Sequence, residues 1–295
     1  MAVTADQVRS LARIEKSPGY WRTVMIRLRR DPVAMGAGVI ILVLLTLAIF
    51  APWIAPHDPY QGRMLGRLSP MGTPGHPLGT DELGRDMLSR LIYGGRLSLF
   101  MGITPVFIAF FVGSAIGVAA GYIGGTFNSA VMRTLDVLFA FPSVLLAIAL
   151  SGALGAGIVN GLIALTIVFI PPVARIAESV TTSVRKLEYV EAARASGANA
   201  FTVVRVHVLG NVLGPIFVYA TSLISVSMIL AAGLSFLGLG VRPPEPEWGL
   251  MLNTLRNAIY VQPWLAALPG VMIFLTSISF NLLSDGLRSA MDIKT

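Results

Sequence analysis

Apolar stretches long enough to cross a bilayer alternate with short polar breaks along most of this chain. The first, 34–55, carries no charge and has the length that spans the hydrocarbon. It is too long, and starts too far from Met1, to suit a cleaved signal peptide, so it predicts an anchoring helix ending near Pro52 and Pro56. Further runs predict spans at 97–122, 137–154, 158–174, 212–239 and 265–283. The expected fold is all-α, a polytopic membrane protein with six transmembrane helices. It divides into a tail at 1–33, the first span, a polar loop at 56–96, a five-helix core at 97–285 and a tail at 286–295.

Within these segments, local patterns predict detail. Leu83, Met87, Leu88, Leu91 and Ile92 share one helical face, which predicts an interfacial helix feeding the second span. Asp81 and Glu82 suit its start, and Arg90 is spaced to pair with Asp86. Gly113, Gly117 and Gly121 recur every four residues, a small-residue stripe that lets another helix approach closely. Asp136 at the start of the third span is expected to pair with Arg133, and Pro171-Pro172 to kink or end the fourth. Ser222, Ser225, Ser277 and Asn281, with Ser227 and Ser279, are polar groups inside the last two spans. They are candidates to line a path, although serines in spans often bond to their own helix.

The longest polar interruption of the second half, RKLEYVEAARASGANAFTVVRVHVLGNVLGP, occupies 185–215. Leu187, Val190, Ala193 and Ala195 alternate with Glu188, Glu191 and Arg194, as in a helix lying on a membrane surface or in a partner's groove. Gly197 fits the left-handed position that closes a helix. A second short helix over 201–208 is expected to break at Gly210 before the chain returns to the membrane.

Composition narrows the classes. Of 295 residues, 55% are hydrophobic and only 13% charged, an excess that belongs in a bilayer. With no cysteine there is no disulfide, thiolate nucleophile or cysteine metal site. His57, His76 and His207 lie far apart in sequence without ligand spacing, so no metal site and no catalytic set is expected. None of the three lysines, Lys16, Lys186 and Lys294, follows a glycine, so the chain has no P-loop and binds no nucleotide cofactor through one. The basic tail beside a membrane span reads as an inside-retained segment rather than a nucleic-acid arm. Under six spans, the segments 1–33, 123–136, 175–211 and the C-terminus share a side and hold fifteen of the 22 Lys and Arg. The other seven lie in 56–96 and 242–263. The positive-inside rule then puts both termini in the cytoplasm and 56–96 outside.

Several motifs carry a family resemblance. Glu191-Ala192-Ala193 followed by Gly197 resembles the EAA loop of permease subunits in bacterial binding-protein-dependent ABC importers, with Gly210 where that pattern usually has proline. Gly79-Thr80-Asp81 with Leu83-Gly84-Arg85-Asp86, the stretch from Gly233 to Gly240, and Asn281 to Arg288 resemble the C-type permease of dipeptide, oligopeptide and nickel importers. The resemblance implies a type I importer permease in the cell membrane. It would pair with a second homologous permease, two cytoplasmic ATPase subunits that hold ATP and Mg²⁺, and an extracytoplasmic substrate-binding protein. It also implies that Glu191, Ala192, Ala193 and Gly197, in the loop 185–213, form the coupling helix that docks on the ATPase. The competing classes are a secondary transporter, which ordinarily needs ionisable groups in the span centres that this chain lacks, and a channel or scaffold without an ATPase.

Overall fold

The computed structural model describes residues 20–291; the basic positions Arg9, Arg13 and Lys16 and the C-terminal Lys294 lie outside them. Among the described residues there are helices but no strands. In order, they are α1 (Tyr20–Arg30), α2 (Pro32–Ile49), α3 (Met87–Ile123), α4 (Gly125–Phe139), α5 (Ser143–Leu154), α6 (Ile158–Val184) and α7 (Glu188–Ala195). They continue with α8 (Ala200–Phe236), α9 (Trp248–Thr254) and α10 (Pro263–Met291). Five of them, α2, α3, α6, α8 and α10, are long and apolar enough to cross a membrane. The pair α4 and α5 is together apolar enough for a sixth crossing but is bent by 84° at a short break, the shape of a broken span or a re-entrant loop.

In lipid, apolar burial does not drive helix against helix, so close packing through small residues has to do so. The glycine stripe meets that need. A Cβ at Gly113 would lie 2.9 Å from the Ile170 carbonyl and from Val173 Cβ, and one at Gly121 2.7 Å from the Glu178 carbonyl. At Gly117 it would run into the Ala174 carbonyl and Ala177. The helix that comes close is α6 of the same chain. The same device seats α10 on the first span, where the missing Cβ of Gly286 leaves room for Ala34. Asp31 begins α2 by accepting from the Val33 and Ala34 amides at 2.9 and 3.1 Å, ahead of Pro32 at the first helical position.

These contacts sort the chain into two ends. Asp31, Gly286, the α3–α4 junction and α7 lie at one end. The segment 50–86, the α5–α6 turn and α9 lie at the other. There the 56–86 loop folds without a long helix around buried ion pairs between its own side chains and Arg90. Asp81 accepts from Arg85 Nε at 2.6 Å and pairs with Arg90 Nε at 3.1 Å, and Glu82 takes Arg85 Nη2 at 3.0 Å. Arg90 Nη1 also donates to the Pro59 carbonyl at 2.9 Å. Buried Glu247 caps α9 by accepting from the Gly249 and Leu250 amides and from Ser98 on α3. Trp248 beside it donates to the Leu91 carbonyl at 2.9 Å.

Several local expectations change. No separate interfacial helix precedes α3: Leu83 stands outside it, 44% exposed, and Met87 begins one helix that runs unbroken to Ile123. Arg90 pairs with Asp81 rather than Asp86, because Asp86 is the N-cap and turns its carboxylate onto the Ser89 amide at 2.8 Å. Asp136 pairs with Arg175, not with Arg133, and Arg175 also lies 4.9 Å over the Phe139 ring. The fourth span does not end at Pro171-Pro172; α6 continues to Val184, packed along α3, although two backbone donors are lost. The region of the expected third span is the bent pair, whose break falls at 140–142. The separation of the histidines in sequence does not carry into space either: the rings of His57 and His76 lie 4.8 Å apart.

Candidate coupling surface and translocation path

The 185–215 stretch forms the expected helix, and its closure is complete. Gly197, at φ +85°, donates to the Arg194 carbonyl at 3.0 Å, and Ala198 donates to the Ala193 carbonyl at 3.1 Å. This pair of reversed bonds needs a left-handed residue at the position of Gly197. The Asn199 side chain then caps α8 by accepting from the Thr202 amide at 2.8 Å. The helix is anchored on one side and bare on the other. Val190 is fully buried in one apolar cluster with Val203, Val208 and Val212, and Ala193 packs against that cluster. Arg194 lies 4.9 Å over the Tyr122 ring near the end of α3, and the Tyr189 hydroxyl accepts from Asn211 at 3.0 Å. Glu188, Glu191, Ala192 and Ala195 face outward, flanked by exposed Leu187 and Phe201. Glu188 and Glu191 in the first turn suit the positive end of the helix dipole.

The expected break at Gly210 is absent. The chain instead makes a π-helical turn over Val203–Val208 and passes through Gly210 into the membrane as one helix. A π turn re-registers the helix beyond it. Here it buries Val203 and Val208 while Arg205 and Val206 stay exposed. Nothing lies within 4 Å of a Cβ placed at Gly210.

Three of the four path candidates meet. Ser225 on α8 and Ser277 and Asn281 on α10 line a cavity of about 410 Å³ with Ile229, Ile273 and Phe274. Ser277 Oγ is buried there without a hydrogen-bond partner among the described residues. Ser222 stands apart, its hydroxyl donating to the Tyr219 carbonyl at 2.7 Å, and Ser225 likewise donates to its own helix at Ser222. A second cavity, of about 370 Å³, escaped the sequence reading. It is bounded by Phe141 and Pro142 at the break between α4 and α5, by Pro171-Pro172 on α6 and by Leu223 on α8. Pro142 was the available signal, since a proline disfavours the helical conformation of the residue before it and suits the start of a new helix.

The family described as binding-protein-dependent transport system inner membrane component matches residues 113–294, which include α7, the glycine stripe and both cavities. The chain belongs to this family. The N-terminal transmembrane domain of oligopeptide transport permease C matches residues 19–70 of the permease, so the two matches leave 71–112 between them. The glutathione transport system permease protein GsiD of Pectobacterium atrosepticum is 42% identical over 274 residues, covering 93% of this chain and 91% of that protein. GsiD of Escherichia coli O6:K15:H31 is 43% identical over 292 residues, covering 99% and 93%. Among solved structures, the MetNI methionine ABC transporter in an inward-facing conformation aligns with a TM-score of 0.56 at 18% identity, covering 69% of the permease and 97% of that chain. At that identity the likeness speaks for the fold alone. The permease is a multi-pass inner-membrane component of an ABC importer of the peptide and nickel type, a transport subunit rather than an enzyme. The secondary-transporter and channel readings give way to it.

Proposed function

We propose that this permease is one half of a two-permease path for glutathione or another short peptide, driven by ATPase subunits that dock on α7. The observation that carries the reading is the two-sided helix: Val190 fixes α7 to the permease body, while Glu191, Ala192 and Ala195 offer a small, acidic, unpartnered face. Such a face suits a partner groove that approaches the backbone closely and places a cation against Glu191. The printed names of the relatives support the substrate class. The end bearing α7, Asp31 and Gly286 is the cytoplasmic one on this reading, with both tails, and the end bearing 56–86 and α9 meets the binding protein. A second permease closes the path beside the cavity at Ser225, Ser277 and Asn281. ATP and Mg²⁺ belong to the ATPase pair, whose closure moves the two coupling helices together.

The test is uptake of labelled glutathione by the reconstituted complex. Ala192 is the better probe of the groove than Ala193, because Ala193 is half-buried against its own chain. Ala192→Trp should leave the permease inserted but unable to hold the ATPase. Glu191→Ala should cost about 1.5–3 kcal/mol of docking, the worth of a hydrogen bond to a charged group. Gly197→Val must adopt the left-handed conformation at a cost of about 1–2 kcal/mol, and should uncouple hydrolysis from uptake. Normal uptake and normal ATPase retention in all three variants would remove α7 from this role.

A further inference from the structure

Three residues distant in sequence converge at the loop end of the permease. Asp86 ends the 56–86 loop and caps α3, with 1% of its surface exposed. His76 Nδ1 lies 2.9 Å from Asp86 Oδ1, and His57 Nδ1 lies 3.8 Å from Asp86 Oδ2. One ligand atom from each of the three falls within 4.8 Å of the others. We propose that His57, His76 and Asp86 form a binding site for a divalent transition-metal ion of the zinc type.

The donor set selects the ion. Two imidazoles and one carboxylate suit zinc, copper or nickel, whereas calcium and magnesium demand oxygen throughout. Zinc bonds of about 2.0–2.1 Å in a tetrahedron put the ligand atoms about 3.3 Å apart. The approaches to Asp86, 2.9 Å at Oδ1 and 3.8 Å at Oδ2, lie on either side of that spacing, and with all three ligand atoms within 4.8 Å of one another a bound ion would draw the set together by side-chain rotation. The surroundings resemble the outer shell of a metal site. The Ser89 hydroxyl donates to Asp86 Oδ2 at 2.7 Å and accepts from the His57 amide at 3.0 Å, which fixes the carboxylate and the backbone of one histidine at once. The His57 ring makes no hydrogen bond among the described residues. With 43% of its side chain exposed, it leaves a coordination position open to water. A hydrogen-bonded carboxylate cap explains Asp86 and His76 but leaves the approach of His57 without a purpose. A bound ion would tie the chain leaving the first span to the start of α3 and close the loop between them.

Full-length permease carrying no histidine tag, in lipid nanodiscs, is titrated with zinc against a chelator. One zinc per chain should bind at micromolar concentration, magnesium should not compete, and the thermal midpoint should rise. His57→Gln and His76→Gln should each weaken binding by about 10-fold or more, whereas His207→Gln, at the α7 end, should not. X-ray absorption at the zinc edge of the unsubstituted protein should show two imidazoles per ion, a readout independent of how the variants fold. The proposal is overturned by an absence of stoichiometric binding, by binding that survives both substitutions, or by a coordination shell without imidazole.

Discussion

Single residues at the loop end work with opposite signs of charge chemistry. Burial pushes the Glu247 carboxyl up from its ordinary 4.5, against the bonds it accepts from Gly249, Leu250 and Ser98. Burial also works against the charge on Asp86, but the Ser89 hydroxyl, His76 and the Ser89 amide outweigh it and hold that carboxyl below its ordinary 3.8. The raised group favours folding most at low pH, and its contribution is lost as pH rises from 4.5 through the folded value. The lowered group contributes above 3.8 and is lost as pH falls through its folded value. The two windows do not overlap, so they can be read separately. Glu247→Gln should flatten the decline of the thermal midpoint as pH rises above 4.5, where Asp86 is silent. An unchanged slope would mean that Glu247 does not titrate in that range. At this scale the sequence was legible only where the cause was local. Gly197 could be placed because a left-handed helix end is set by its own few residues. The partners of Arg90 and Asp136, and the meeting of His57 with His76, depend on how a loop folds or a neighbouring helix crosses, and spacing along the chain carries neither.

The elements themselves were largely visible as runs of apolar residues, since each must match the bilayer. Their ends and interruptions were less so. Two prolines do not stop α6, because α3 packs along it on both sides of them, whereas Pro142 marks an 84° bend that the apolar run through it conceals. The helix pair α3–α6 is the unit on which the others are built, and its tightest point is Gly117. A valine there would meet the Ala174 backbone, which has no rotamer to yield, together with Ala177 Cβ at 2.6 Å. Gly117→Val should cost about 3 kcal/mol, the upper end for overpacking, and lower the amount of permease in the membrane. Gly152→Val is the control, because nothing lies within 4 Å of its Cβ. Equal membrane levels and equal thermal inactivation for the two variants would show that the stripe is not what joins α3 to α6.

For the whole molecule, the sorting of segments into two ends agrees with the grouping of basic residues, and sidedness is open to direct measurement. The chain has no cysteine, so Leu65→Cys and Leu187→Cys introduce single reporters at exposed positions of opposite ends. An impermeant thiol reagent applied to intact cells should label position 65 and spare 187; the reverse pattern would invert the proposed topology. The unbroken α6 bears on how force crosses the membrane. Its 27 residues make a rod about 40 Å long at 1.5 Å per residue, and only a short turn separates its last residue, Val184, from α7. Joined to α3 along one side, it cannot bend independently and so behaves as a lever. If movement of α7 tilts this rod by about 10° about its Val184 end, its far end, at the α5–α6 turn, sweeps through about 7 Å. A displacement of that size at the opposite face is large enough to open or close a passage there.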